Sequence, residues 1–91
     1  MKDNSQDIIK DRLRNFVTEN FLPFSGLETF KDMDSLLENG IIDSTGVLEL
    51  LEYIEETFSI QVEDSEVIPE NLDSIINLMN YIERKKRDAP H

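Results

Sequence analysis

Val47, Leu50, Leu51, Ile54 and Phe58 recur at i, i+3, i+4, i+7 and i+11 behind the dipeptide Asp43-Ser44. That spacing places them on one stripe of an α-helix and is incompatible with one face of a strand, whose side chains repeat every second residue. A helix beginning at Asp43-Ser44 and ending near Phe58 is therefore predicted, with one side to bury and one to solvate. Such a helix needs neighbours, and the rest of the chain supplies them.

Residues 5–20 carry Ile9, Leu13, Phe16 and Val17 at helical spacing, widened by Ile8, with Asn4 or Ser5 placed to cap the first turn. Beyond the central helix, residues 59–62 read as a short extended linker. Residues 64–68 can form at most a short helix before Pro69, because a residue preceding proline is pushed out of helical geometry. A last helix follows, with Asn71 as its predicted N-cap and Leu72, Ile75, Ile76, Met79 and Ile82 as its buried stripe. Arg84, Lys85, Lys86 and Arg87 complement the carbonyl end of its dipole.

Residues 21–42 are long for a structureless loop in a small domain. Phe21, Leu22, Phe24, Leu27, Phe30, Leu36 and Leu37 give this segment much to bury, so a packed crossover is expected, with one helical turn at residues 35–39 stopped by Gly40. No segment offers a strand with a partner. The expected fold is all-α, a small bundle of three main helices plus one or two short ones. It forms a single domain over residues 1–91, with a core at about 5–87 and a frayed tail at 88–91.

Charge narrows the function. Of 91 residues 20 are acidic and 9 basic, a net charge of -11, yet 38% are hydrophobic and periodic, unlike a disordered acidic tail. Between Lys31 and Arg84 there is no basic side chain at all, while fourteen acids fall in that interval. The middle of the domain is an anionic surface flanked by basic ends, Lys10, Arg12 and Arg14 on one side and residues 84–87 on the other. Such a surface repels phosphates, so nucleic acid is not an expected partner and basic proteins are. No apolar run approaches the roughly 20 residues that span a bilayer, and the N-terminal residues lack the pattern of a secretory signal. A cytoplasmic monomer that does not insert into membranes is the default expectation.

Intrinsic catalysis is not expected. The chain has no cysteine, and its one histidine is the terminal His91, so neither a nucleophile–histidine pair nor a histidine or thiolate metal site is available. Gly26, Gly40 and Gly46 are scattered and form no phosphate loop. Asp32-Met33-Asp34 begins like a calcium loop, but Leu36 would occupy an oxygen-ligand position and Leu37 the required glycine. Asp-Ser recurs as Asp34-Ser35, Asp43-Ser44, Asp64-Ser65 and Asp73-Ser74, and helix or turn capping accounts for such pairs. Only Ser44 combines a preceding apolar pair, Ile41-Ile42, with a long amphipathic acidic helix directly after it.

The stretch from Asp34 through Gly40-Ile41-Ile42-Asp43-Ser44-Thr45-Gly46-Val47-Leu48-Glu49-Leu50-Leu51 resembles the modification motif of the acyl carrier proteins. Phe58-Ser59-Ile60-Gln61-Val62-Glu63-Asp64 and then residues 75–82 are similar to that family's linker and final helix, and the resemblance extends from Ile8 to Lys86. It implies that Ser44 is esterified by 4'-phosphopantetheine, whose thiol carries acyl or aminoacyl groups as thioesters. It further implies that Asp43 caps the helix and helps position the metal of the modifying phosphopantetheinyl transferase. Glu49, Glu55 and Glu56, with Leu48 as an exposed apolar contact, would then dock basic patches on a ligase or acyltransferase. The family's commonest pattern has its glycine one position later, and Thr45-Gly46 and Glu52 also depart from it. In these respects the chain looks more like the stand-alone carriers served by adenylate-forming ligases, the D-alanyl carriers among them, than the fatty-acid synthase carrier. Read without the resemblance, the same residues suit an unmodified acidic helical interaction module.

Overall fold

A computed structural model describes residues 5–88. They fold into three long helices, α1 (Ser5–Asn20), α2 (Ser44–Phe58) and α4 (Ile75–Asp88), and one short helix, α3 (Pro69–Leu72). Two 3-10 turns, Leu22–Phe24 and Asp64–Glu66, punctuate the connections, and the described residues contain no strand. The all-α bundle is as expected. Asn4 as a first cap, and residues 89–91 of the expected tail at 88–91, lie outside the described residues, whereas Asp88 is not part of a tail but the last residue of α4.

Each long helix buries one stripe. Ile9, Leu13 and Val17 of α1, Leu50, Ile54 and Phe58 of α2, and Ile75, Leu78, Met79, Tyr81 and Ile82 of α4 form a continuous core with Leu36 of the crossover. α1 lies along α4, and an aromatic group joins α1 to α2, with Phe16 stacked on Tyr53 at 4.1 Å between ring centroids. Ile8 does not widen the α1 stripe; it is 52% exposed, one residue off the buried line. Val47 and Leu51 are half-buried flanks of the α2 stripe, whose centre runs through Gly46, Leu50, Ile54 and Phe58. None of the helices is long and apolar enough to cross a membrane, among the described residues.

The crossover is pinned at selected points instead of along its length. Leu22, Phe30, Leu36, Ile41 and Ile42 are buried, whereas Phe24, Leu27 and Leu37 face solvent. Arg14 holds one end: its guanidinium donates to Asp32 Oδ1 at 2.7 Å and to the Phe30 carbonyl at 2.9 Å, and lies 4.3 Å from the Phe30 ring centroid. Residues 35–39 make a hydrogen-bonded turn, with Gly40 at φ 69° ending it, a backbone state that suits a residue without Cβ.

Asp73 holds the other end and explains why the last helix starts late. Its carbonyl accepts from Leu36 N at 2.8 Å, and its carboxylate accepts from Leu37 N at 2.9 Å and from the Ser35 hydroxyl at 2.5 Å. With that carbonyl committed to the crossover, the helical ladder breaks after α3. It restarts at Ile75 with the Ser74 hydroxyl accepting from Asn77 N at 3.1 Å. Asn71 is therefore not the cap of the last helix; it sits inside α3, donating to the Glu66 carbonyl and accepting from Arg84. The buried stripe keeps Ile75, Met79 and Ile82 but also takes in Leu78 and Tyr81, and Ile76 lies at its edge.

Glu66 ties the second 3-10 turn to α4. Its Oε1 accepts from Glu63 N at 2.9 Å, Lys85 Nζ at 2.9 Å and the Tyr81 hydroxyl at 3.0 Å. The Glu63 amide first, then Lys85 and Tyr81, hold the carboxyl below its ordinary value of 4.5 against a smaller opposing effect of burial. A folded-state pKa below the unfolded one stabilises the fold above 4.5, and that stabilisation is lost as the pH falls through the folded value. Glu66→Gln should therefore lower stability at neutral pH and flatten the loss on acidification, so that the two proteins converge in acid. Parallel acid-unfolding curves would show that this carboxylate does not contribute as a charge.

Candidate functional site

The site is the start of α2 and its solvent face. Asp43 is extended, with φ -115° and ψ -175°, and its Oδ1 accepts from Gly46 N at 2.8 Å, the N-cap arrangement that satisfies one free amide of the first turn. Its carbonyl accepts from Val47 N at 2.9 Å. The N–H groups of Ser44 and Thr45 are left without a protein acceptor among the described residues. Ser44 is the first residue of the helix, and its side chain is exposed. Because Asp43 makes the cap, the Ser44 hydroxyl is not needed to start α2.

Helical periodicity carries Thr45, Leu48, Glu49, Glu52 and Glu56 along the outer face of α2, and all are exposed. Leu48 is 63% exposed, an isolated apolar side chain among carboxylates. Glu55 is different. It is half-buried at the edge of that face, and its carboxylate accepts from Val62 N at 2.9 Å, so it also fastens the linker after α2. Asp43, Glu49, Glu52 and Glu56 have no ion pair among the described residues, while Lys10 and Arg14 are drawn to Asp32, and Lys85 to Glu66. The anionic face is thus left unpaired by the cations among the described residues.

Sequence reasoning missed the part played by Gly46. Its backbone is approached so closely that a Cβ there would stand 2.7 Å from Ile42 Cγ1 and 3.0 Å from Phe21 Cε1. Only glycine lets the crossover close over the first turn of α2, and the one cue in the sequence is a glycine inside a predicted helix. Gly46→Ala gains about 1 kcal/mol of helix propensity but forces an overlap with the buried Ile42, which costs about 1–3 kcal/mol. The expected result is a net loss of stability in urea unfolding. A gain would mean that Ile42 and Phe21 yield freely.

Two recesses adjoin the start of α2. On one side an open groove of about 340 Å³ runs between the first 3-10 turn and the helix, lined by Asn20, Phe21, Phe24, Ile41, Asp43, Thr45 and Glu49 among others. On the other a smaller, apolar cleft of about 100 Å³ lies between α2 and α3, with Ile42, Val47, Leu50, Val67, Ile68 and Leu72 in its walls. No group of three or more potential metal ligands occurs among the described residues. In comparisons with known proteins, no family model and no curated protein matches the chain.

Proposed function

We propose that this chain is a discrete, non-catalytic carrier whose Ser44 is esterified by 4'-phosphopantetheine and which delivers an acyl or aminoacyl group to partner enzymes. The observation that carries this reading is the exposed Ser44 hydroxyl at the first residue of α2, left uncommitted to the fold because Asp43 makes the cap. The unpaired N–H groups of Ser44 and Thr45, at the positive end of the helix dipole, suit a phosphate on that oxygen. The cofactor supplies a thiol for thioester formation, which a chain without cysteine lacks. The protein presents the attachment oxygen, keeps it clear of its own side chains and offers partners a surface to dock on.

That surface is Leu48 with Glu49, Glu52 and Glu56; Glu55 joins it from the edge. Asp43 has a second oxygen free to help hold the transferase's metal. Individually such exposed pairs contribute under about 1 kcal/mol, so several must act together, and salt should weaken docking. The partners fitting this chemistry are a phosphopantetheinyl transferase and an adenylate-forming ligase or acyltransferase with a basic patch. The early Gly40, Thr45-Gly46 and Glu52 favour a stand-alone carrier of the D-alanyl type over a fatty-acid synthase carrier, acting in the cytoplasm. The cleft between α2 and α3 offers apolar walls to an acyl cargo.

The acidic face, unpaired among the described residues, also supports a second reading, an unmodified interaction module for basic proteins. The two part at Ser44. Enzymatic attachment of phosphopantetheine from coenzyme A, with Ser44→Ala as control, tests the carrier.

A further inference from the structure

Phe24 is 87% exposed, the most exposed large apolar side chain among the described residues, and it stands on the rim of the groove between the first 3-10 turn and α2. The walls of that groove combine the aromatic rings of Phe21 and Phe24 with two carboxylates, Asp43 and Glu49, that have no ion pair among the described residues. A ring face and an unpaired carboxylate select for the same chemical group. A planar guanidinium stacks on aromatic faces and forks onto carboxylates, whereas an ammonium does both less well. The methylene stem of an arginine would lie against Ile41 and Phe21 while its head stays near Glu49.

We infer that this groove is a docking site for a partner protein's arginine, a recognition point that shares Glu49 with the outer acidic face of α2 and adds the rings of Phe21 and Phe24 and the carboxylate of Asp43 to it. It separates arginine from lysine, which the outer face, reading charge alone, does not. It also gives partner contacts a fixed register beside Ser44, because Asp43 and Thr45, the neighbours of Ser44, line the same groove. The inference takes from the carrier reading only the basic partner, and its test uses the unmodified chain, so its failure would leave that reading standing.

The experiment is an amide chemical-shift titration of the unmodified protein with acetyl-arginine amide, and with acetyl-lysine amide as a probe of equal charge. The expected result is saturable shifts at Gly40, Ile41, Thr45 and Gly46 that are larger for the arginine probe. In Phe24→Ala, a change at an exposed position that leaves the fold intact, arginine binding should weaken about fivefold. Glu49→Gln should also weaken it. Equal responses to both probes, shifts confined to Glu52 and Glu56, or unchanged binding in Phe24→Ala would overturn the inference. So would loss of arginine binding once Ser44 is modified together with shifts at the same groove amides, since the groove would then belong to the attached arm.

Discussion

Ile54→Ala is expected to cost about 2–5 kcal/mol, the range for truncating a fully buried aliphatic side chain where the surroundings cannot collapse. Ile54 has no exposed surface and belongs to one continuous core with Leu13 of α1, Leu50 of its own helix and Ile82 of α4. A small domain holds only about 5–15 kcal/mol in total, so this single change should remove a large share of it. Leu51→Ala, one step off the stripe and half-buried, should cost less, about 1–2 kcal/mol. Urea unfolding of both variants measures the difference. Equal losses, or a larger one at Leu51, would contradict the register of α2.

What is legible in the sequence is local. Asp43, Ser44 and the stripe behind them define α2 from within one short segment, because capping and amphipathic periodicity are properties of neighbouring residues. What is not legible depends on distant pairs. The break before α4 exists because Asp73 bonds to Ser35, Leu36 and Leu37, and no local pattern around Asn71 reveals that commitment. Phe24 and Leu27 look like core residues by composition, yet burial goes to Phe30 and Leu36, where Arg14 and Asp73 pin the crossover.

The candidate site divides in the same way. Exposure of Leu48 and Glu49 follows from the helical period, whereas the hydrogen bond from Val62 N to Glu55 comes from the way the chain turns after Phe58. There Ser59 adopts a left-handed conformation, with φ 56°, and brings the linker back along the helix. The role of glycine at position 46, and the groove beside it, require the crossover's side chains, Phe21 and Ile42, to be in place.

Ser44→Ala is expected to abolish modification completely while leaving the fold almost unchanged, within about 0.5 kcal/mol of wild type. The reason for the second half is geometric: the amide of Gly46 is satisfied by Asp43, and alanine is a good helix former at the exposed first position of α2. Asp43→Ala, by contrast, should cost about 1 kcal/mol through loss of that cap. Comparing the melts of these two variants separates the structural residue from the chemical one. A larger loss at Ser44 than at Asp43 would mean that the serine hydroxyl, not the aspartate, holds the start of the helix.

The central claim is tested most directly by intact-protein mass after incubation with coenzyme A, magnesium and a broad-specificity phosphopantetheinyl transferase. The carrier reading predicts a gain of one phosphopantetheine on the wild-type chain and none on Ser44→Ala. No gain on a folded wild-type chain, with a transferase that modifies a known carrier in the same reaction, would contradict it and leave Ser44 as an ordinary first residue of an acidic helix.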